Sequence, residues 1–479
     1  MENDKVIVAI ELGSSKISGV AGQIMFDGSL KVLAYASTPS STCIRHGAVY
    51  NLDRTANAIA DVMSRLESIL STKIEKVYIG YNAKGLRSNP SHVDRAFEED
   101  TIVSQEVIDG MFQESETFCF DGYVNLFQIT QEYVIDNKRD TESEPIGVAC
   151  RTLHGNYLNI LLKQQVSDYI MQCFVKAGVT ILDGFVIPVA EAAAVLSDDD
   201  RKQGCALVDY GADTTTVSVY KDGMLRFLRV IPLGSDLITR DLSTLLKIEH
   251  DQAEYLKCTY GLCNQANGQN KDNGVVLGGR QIMLSRIGEI IEARNEEIVR
   301  NVVSQIKASG YLESLYAGVV LTGGGSKLLQ LDQVFIKQMP NVRTPRIAAE
   351  PLRGVSWIEP SWKKGDGSQL SLLSVMAMGY ENCCSLPKLD EIDNVAPEDQ
   401  AKFETLSLFT DDGESAQVVR DQQNLEKKQA KIEEAAKNEA SESGEGEKVP
   451  DKKTRNFFGR LFDNLMTKGE EFFDENENN

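Results

Sequence analysis

At 479 residues the chain has room for two or more domains and an ample core. Its net charge of -21 argues against a nucleic-acid binder, which needs a basic face. The nine cysteines form no Cys-x-x-Cys pair and, with four scattered histidines, complete no zinc pattern; they read as reduced structural thiols, as in a cytoplasm. Asn3, Asp4 and Lys5 lead straight into an apolar run, so no leader peptide is expected, and no apolar run reaches the length of a membrane span.

Residues 5–10 read as a buried strand that ends at Glu11. Gly13, Ser14, Ser15 and Lys16 follow, then a strand from Ile17, a turn at Asp27-Gly28 and a third strand over 31–36. An acid at a strand tip, a glycine that admits close approach and hydroxyls on the turn suit a polyphosphate with Mg²⁺. The turn's N–H groups can cradle phosphate oxygens, and the carboxylate can hold the metal through water. One such turn alone also fits an ordinary hairpin. Ile59, Val62, Met63, Leu66, Ile69 and Leu70 fall at helical spacing within 56–70, and 76–81 reads as a fourth strand. Together these predict a mixed sheet with a helix on its face.

From 82 to about 162 the composition shifts to Gly, Pro and many acids. Strands are predicted at 128–135 and 146–152 and a helix at 103–114, which reads as a small inserted subdomain. A helix at 166–177 and a strand at 179–187 follow. Pro188 then suits a helix start, with 190–196 behind it.

Residues 204–231 repeat the opening pattern. The run 205–208 ends at Asp209; Gly211, Thr214 and Thr215 follow, then a strand, the turn Asp222-Gly223 and a third strand. This internal repeat predicts two related β-rich halves, each giving one phosphate hairpin to a shared cleft. Helices are predicted at 236–246 and 251–261, a polar loop at 264–273 and a long amphipathic helix at 282–306. A strand at 318–321 runs into Thr322-Gly323-Gly324-Gly325-Ser326, with helices at 327–334 and 372–383. A glycine-rich strand-to-helix junction presents N–H groups to anions or admits a flat ring; a merely flexible turn has the same composition.

Residues 386–451 are acidic and poor in aromatics, the composition of a solvated linker. The composition then flips. At about 100° per residue, Phe457, Phe458, Leu461, Phe462, Leu465 and Met466 cover one half of a helix. Lys452, Lys453, Arg455, Arg460 and Lys468 surround this face with Asp463 as the single acid, which suits the interface of an anionic bilayer. A partner groove is the rival docking site. The acidic end, 470–479, departs from the pattern.

Four stretches resemble the actin-like ATPase superfamily and, within it, the FtsA family of bacterial cell division: Glu-Leu-Gly-Ser-Ser-Lys (11–16), Asp-Tyr-Gly-Ala-Asp-Thr-Thr (209–215), Ala-Glu-Tyr-Leu-Lys-Cys-Thr-Tyr-Gly (253–261) and Leu-Thr-Gly-Gly-Gly-Ser (321–326). Gln131 to Asp136, Gly278-Gly279-Arg280 and the basic tip are the more family-specific features. The resemblance implies an α/β fold of the duplicated RNase H-like kind, with two lobes around a nucleotide cleft, an inserted α+β subdomain and a C-terminal linker ending in an amphipathic helix. It implies subdomain 1A at 1–82, 164–203 and 368–385, the insert 1C at 83–163, subdomain 2A at 204–234 and 306–367, and subdomain 2B at 235–305; the linker is then 386–451 and the tip 452–479.

The resemblance also implies ATP and Mg²⁺. Gly13, Ser14, Ser15 and Lys16 match the first phosphate loop, and Asp209, Gly211, Thr214 and Thr215 the second, with Glu11 and Asp209 flanking the metal. Glu254 and Lys257 match residues that line ribose and adenine, and Gly323, Gly324, Gly325 and Ser326 match the adenosine loop. The implied partners are the C-terminal tail of FtsZ, docking on 235–305, neighbouring subunits meeting through the insert, later division proteins, and the anionic cytoplasmic face of the inner membrane at the septum. Two positions depart. Asp213 stands where the second loop usually has Gly, and a carboxylate facing phosphate would repel it. Ile187 stands where such ATPases place a Gln or Glu to orient water, with Glu191 one turn further on as a possible substitute. At most weak ATP hydrolysis is therefore expected. A sugar or acyl kinase and a pilus-assembly adaptor of the same superfamily are the competing readings; the first needs a carboxylate base in the cleft, and the second should lack the basic tip.

Overall fold

Ile7, Val8, Ala9 and Ile10 are all essentially buried, as a strand covered on both faces requires. This strand, Ile7–Leu12, lies at the centre of a six-stranded sheet in a computed structural model that describes residues 5–136, 141–142, 144–261 and 274–385. The expected linker at 386–451, the tip at 452–479 with its six apolar residues, and the polar loop at 264–273 lie outside the described residues.

The strand pairs antiparallel with Lys16–Ile24, which pairs with Leu30–Pro39; on the other side it runs parallel to Lys76–Tyr81 and then Thr180–Val186. Val355–Trp357 closes the far edge. The helix Leu52–Leu70 covers one face. It begins four residues earlier than its apolar spacing predicts because the Asn51 side chain accepts from Arg54 N–H at 3.0 Å and caps it. Ile187–Val195, with Pro188 in its first turn, packs with Leu370–Ala377. The latter helix stops well short of the predicted 383. At Gly379 an added Cβ would lie 2.2 Å from Ile7 Cγ2, and the chain turns there to the starts of the two central strands, where Cys383 N–H donates to Val6 O at 2.8 Å and Glu75 N–H to Cys383 O at 2.9 Å.

The second lobe repeats the design. Cys205–Tyr210, Thr215–Lys221 and Met224–Ile231 form the antiparallel meander, with Gly318–Thr322 and then Arg346–Ile347 parallel beside the first of them. Asp236–Leu246, His250–Tyr260 and Leu284–Ala308 build its core, where Ile238, Leu242, Leu256, Ile287, Ile291 and Val299 are buried. Two local readings differ. A hairpin, Gly274–Leu277 with Arg280–Met283, precedes the long helix. The predicted helix at 327–334 splits into a 3₁₀ turn, Gly324–Lys327, and a helix, Leu331–Gln338, with Gln330 left-handed between them.

The insert is more strand-rich than predicted. Ala149–Lys163 pairs with both Arg87–Ile102 and Tyr123–Ile135, and Gln105–Glu116 packs on them over Val93, Met111, Tyr133, Leu153 and Tyr157. Although it interrupts the first lobe in sequence, its sheet continues that of the second. Arg87 pairs with Arg229, Leu228 N–H donates to Ser88 Oγ at 2.8 Å, and Val230 N–H to Leu86 O at 3.2 Å, so nine strands run together. The free edge of Met224–Ile231 is thereby covered.

Candidate functional site

Both meanders bring an acid and a glycine turn to the same cavity of about 1390 Å³ between the lobes. Glu11, Gly13, Ser14, Ser15 and Lys16 line it from one side, and Asp209, Gly211 and Thr214 from the other. The turns are held by hydrogen bonds to their backbone and to the Ser14 hydroxyl. Ser40 Oγ donates to Gly13 O at 2.6 Å, Gly47 N–H to Ser14 Oγ at 2.9 Å, and Gly211 N–H to Thr214 O at 3.0 Å. A Cβ would fall 2.7 Å from Lys16 O at Gly13 and 2.9 Å from Thr214 O at Gly211, so only glycine fits either turn.

The third loop closes over the second. Gly323 has φ 80°, and a Cβ there would lie 2.4 Å from Asp209 Oδ1. Gly323, Gly324 and Gly325 line the cavity. Glu254 and Lys257 line it as well. Lys257 Nζ is buried and donates to Thr239 Oγ1 at 2.9 Å and Ser235 O at 3.3 Å, and it pairs with Glu254 at 2.7 Å. Burial opposes the Glu254 charge, but Lys257 and the Thr239 and Cys258 side chains together outweigh it and hold the carboxyl below its usual range.

Two predicted residues are turned away. The Thr215 hydroxyl is buried and donates to Leu233 O at 2.8 Å. That of Ser326 donates to Gly323 O at 2.7 Å. Neither side chain lines the cavity; each holds the turn whose backbone does.

The acids fit a hard cation. Burial first, and the facing Glu11 second, push Asp209 up to about 7, with Asn82 partly offsetting them. Burial likewise raises Glu11 against the pull of Lys16. Two carboxylates that disfavour each other's charge above glycine turns are groups that could hold a hard divalent cation. Ile187 also lines the cavity, where its apolar side chain packs beside Gly80. Glu191 is fully buried behind this surface, and burial with Asp209 and Glu11 pushes it well up against a small opposing effect of Ser371; it does not line the cavity.

Asn82 escaped the sequence reading. It ties the lobes together by donating to Asp209 Oδ2 at 3.1 Å and accepting from Thr216 Oγ1 at 2.9 Å. Its signal was its place just past the tip of Lys76–Tyr81, where the strands carrying Glu11 and Asp209 also end. Asp213 is the other link. Its carboxylate accepts from His46 N–H across the cleft at 3.2 Å and pairs with Arg240 at 3.3 Å. It lines the cavity, but its charge is already compensated. An uncompensated carboxylate facing phosphate would make Asp213→Gly tighten ATP binding by about 1 kcal/mol through lost repulsion. With Arg240 beside it, the expected change in Mg-ATP affinity falls below about twofold. The clear effect of Asp213→Gly is faster hydrogen exchange at His46, whose N–H loses its acceptor, measurable by mass spectrometry.

A family model described as Cell division protein FtsA matches residues 206–361. The chain is 29% identical over 369 residues to Cell division protein FtsA of Porphyromonas gingivalis, covering 74% of this chain and 76% of that protein. It is 24% identical over 338 residues to the protein of the same name from Escherichia coli strain K12, covering 68% and 80%. Among solved structures, a chain of the PilM-PilN type IV pilus biogenesis complex superposes with a TM-score of 0.53 at 15% identity, covering 77% of this chain and 97% of that one. At that identity the likeness speaks for the fold alone, which is actin-like.

Proposed function

We propose that the chain is a member of the FtsA family of actin-like cell-division proteins and, on that premise, an ATP-binding adaptor that tethers FtsZ to the cytoplasmic membrane at the septum. The observation that carries the nucleotide part is the convergence of three glycine turns on one cavity, with Glu11 and Asp209 at its floor and Glu254 and Lys257 at its side. Bound Mg²⁺ would be held near Glu11 and Asp209 and would supply charge to neutralise phosphate. The protein's own groups would do the rest: backbone N–H groups of both turns bind phosphate oxygens, and the Lys257–Glu254 pair orients the nucleoside.

Hydrolysis is weak in this proposal. Ile187 cannot orient a water, and Glu191 lies behind the cavity surface. Turnover should therefore stay well below about 1 per second, under the ordinary enzyme range; steady-state phosphate release checks this. The same absence of a lining carboxylate at that wall disfavours a small-molecule kinase.

The adaptor part rests on the family and on the tip. The amphipathic segment 452–479, basic over 452–468, anchors the chain on anionic lipid, the FtsZ tail docks on 235–305, and neighbouring subunits meet through the insert as a polymer that recruits later division proteins. Among the described residues no helix is long and apolar enough to cross a membrane. Sedimentation with anionic vesicles, with and without ATP, tests the anchor. The full chain should pellet and a chain lacking the last 28 residues should not; equal pelleting would remove the anchor from the proposal.

A further inference from the structure

On a chain of net charge -21, a cluster of cations stands without acids where the sheet of the insert joins that of the second lobe. Arg229, in Met224–Ile231, lies directly opposite Arg87, the first residue of Arg87–Ile102. Arg87 in turn lies opposite Leu161, and Lys163, two residues further along that strand, lies opposite Tyr123. Residues opposed across a ladder share a face, as do residues two apart on a strand, so Arg229, Arg87, Lys163 and Tyr123 stand on one face of the sheet. The Arg87 guanidinium carbon lies 4.4 Å from the centre of the Tyr123 ring, and Arg87 Nε is buried without a hydrogen-bond partner. Among the described residues, Arg87, Arg229 and Lys163 make no ion pair. Acids on nearby elements are committed elsewhere: Glu132 and Asp222 pair with Arg226 at 3.5 and 3.4 Å, and Glu114 pairs with Arg95. Asp121, in the turn before Tyr123, pairs with none of the cluster.

The same face is covered on either side. Val217, opposite Arg229, belongs to the core beneath Leu284–Ala308, and Val93, further along the Arg87 strand, to the core beneath Gln105–Glu116. Between these helices the sheet is left open, with Arg87 and Arg229 half-buried at its floor and Lys163 exposed. Like charges directly opposite each other destabilise a ladder. Stacking on Tyr123 holds the Arg87 fork in one plane with its N–H edge free, the geometry that takes a carboxylate. A recessed floor between two helices admits an extended chain rather than a flat bilayer.

We infer that Arg87, Arg229 and Lys163 form a docking surface for an extended acidic segment of a partner protein, held through its carboxylates. The opposed arginines are kept at a cost in stability because that segment neutralises them.

The test is photo-crosslinking of an octaglutamate peptide to the full chain, with the sites and yields read by mass spectrometry. The variants are Arg229→Glu, Arg229→Lys and, as a control on overall charge, Arg54→Glu on the exposed side of Leu52–Leu70. Mapping by site separates this surface from the basic tip, which also attracts acids. Crosslinks are expected on the strands that carry Tyr123 and Arg229. Arg229→Glu should lower their yield at least about tenfold, as loss of a charge-assisted bond would. Arg229→Lys should stay within about threefold and Arg54→Glu within about twofold of the wild type. Arg229→Glu should also raise Tm by about 1–2 °C, because it sets an opposite charge against Arg87. A more stable variant that has lost the peptide separates a docking role from a structural one. Crosslinks confined to 452–479, an undiminished yield in Arg229→Glu, an equal loss in Arg54→Glu, or a lower Tm in Arg229→Glu would overturn the inference. So would an Arg229→Glu variant that keeps the peptide but no longer sediments with anionic vesicles, which would assign the surface to lipid.

Discussion

Asp209→Ala should reduce Mg-ATP affinity by at least about a hundredfold, the scale of nearly 3 kcal/mol expected for removing a buried charge beside a cation. Its carboxylate has one oxygen fixed by Asn82 at 3.1 Å, and the Gly323 turn is pressed against the other. No other acid occupies that place; Glu11 comes from the opposite lobe and Asp213 is committed to His46 and Arg240. The raised ionisation of Asp209, to about 7, adds a pH dependence. A raised carboxyl favours its neutral form, and a cation must displace the proton. Mg-ATP affinity should therefore rise as pH increases through about 7 and level off above it, with a limiting slope of about tenfold per pH unit below. Asp209→Asn should bind weakly and lack this slope. Equilibrium titration between pH 6 and 8 checks both points, and wild-type affinity in Asp209→Ala would remove the cleft from the account.

Phe458→Glu combined with Leu465→Glu should release the chain from anionic vesicles while Mg-ATP binding survives. The two residues lie seven apart in sequence, the spacing that one face of an amphipathic helix requires. Burying a large apolar side chain contributes about 1.5–3 kcal/mol, so two losses plus two new charges facing anionic lipid amount to well over a hundredfold in partitioning. Vesicle sedimentation at low and high salt reads the effect. Binding that persists in the double variant, or is indifferent to lipid charge, would leave the anchor without support.

The parts of this molecule that were legible in the sequence are those set by local chemistry. The two acid-glycine-hydroxyl turns announce themselves because their backbones admit no Cβ at Gly13 or Gly211. Asp236–Leu246 was readable to the residue, since a stripe of buried Ile238, Leu242 and Leu246 sets its face. What was missed depends on contacts between distant segments. The strand Arg87–Ile102 carries acids on its exposed side and Pro90 within it, so its composition resembles a loop; it is a strand because Ala149–Lys163 pairs along it. Asn82, Arg240 and the loop at 364–368 reach the site only through the tertiary fold. Thr215 and Ser326 were read as ligand groups from their motif, yet backbone carbonyls claim both hydroxyls. A hydroxyl in a phosphate turn can serve the turn rather than the ligand, and composition does not distinguish the two.

Tethering is tested most directly by mixing anionic vesicles, a labelled peptide of the FtsZ C-terminal tail and the full chain with Mg-ATP, then measuring the peptide that sediments. The account predicts that the peptide pellets with the full chain and stays in solution with vesicles alone, with the Phe458→Glu/Leu465→Glu variant, or with a chain lacking residues 452–479. A peptide that remains in solution beside vesicle-bound full-length chain, or that pellets equally well without the tip, would contradict it.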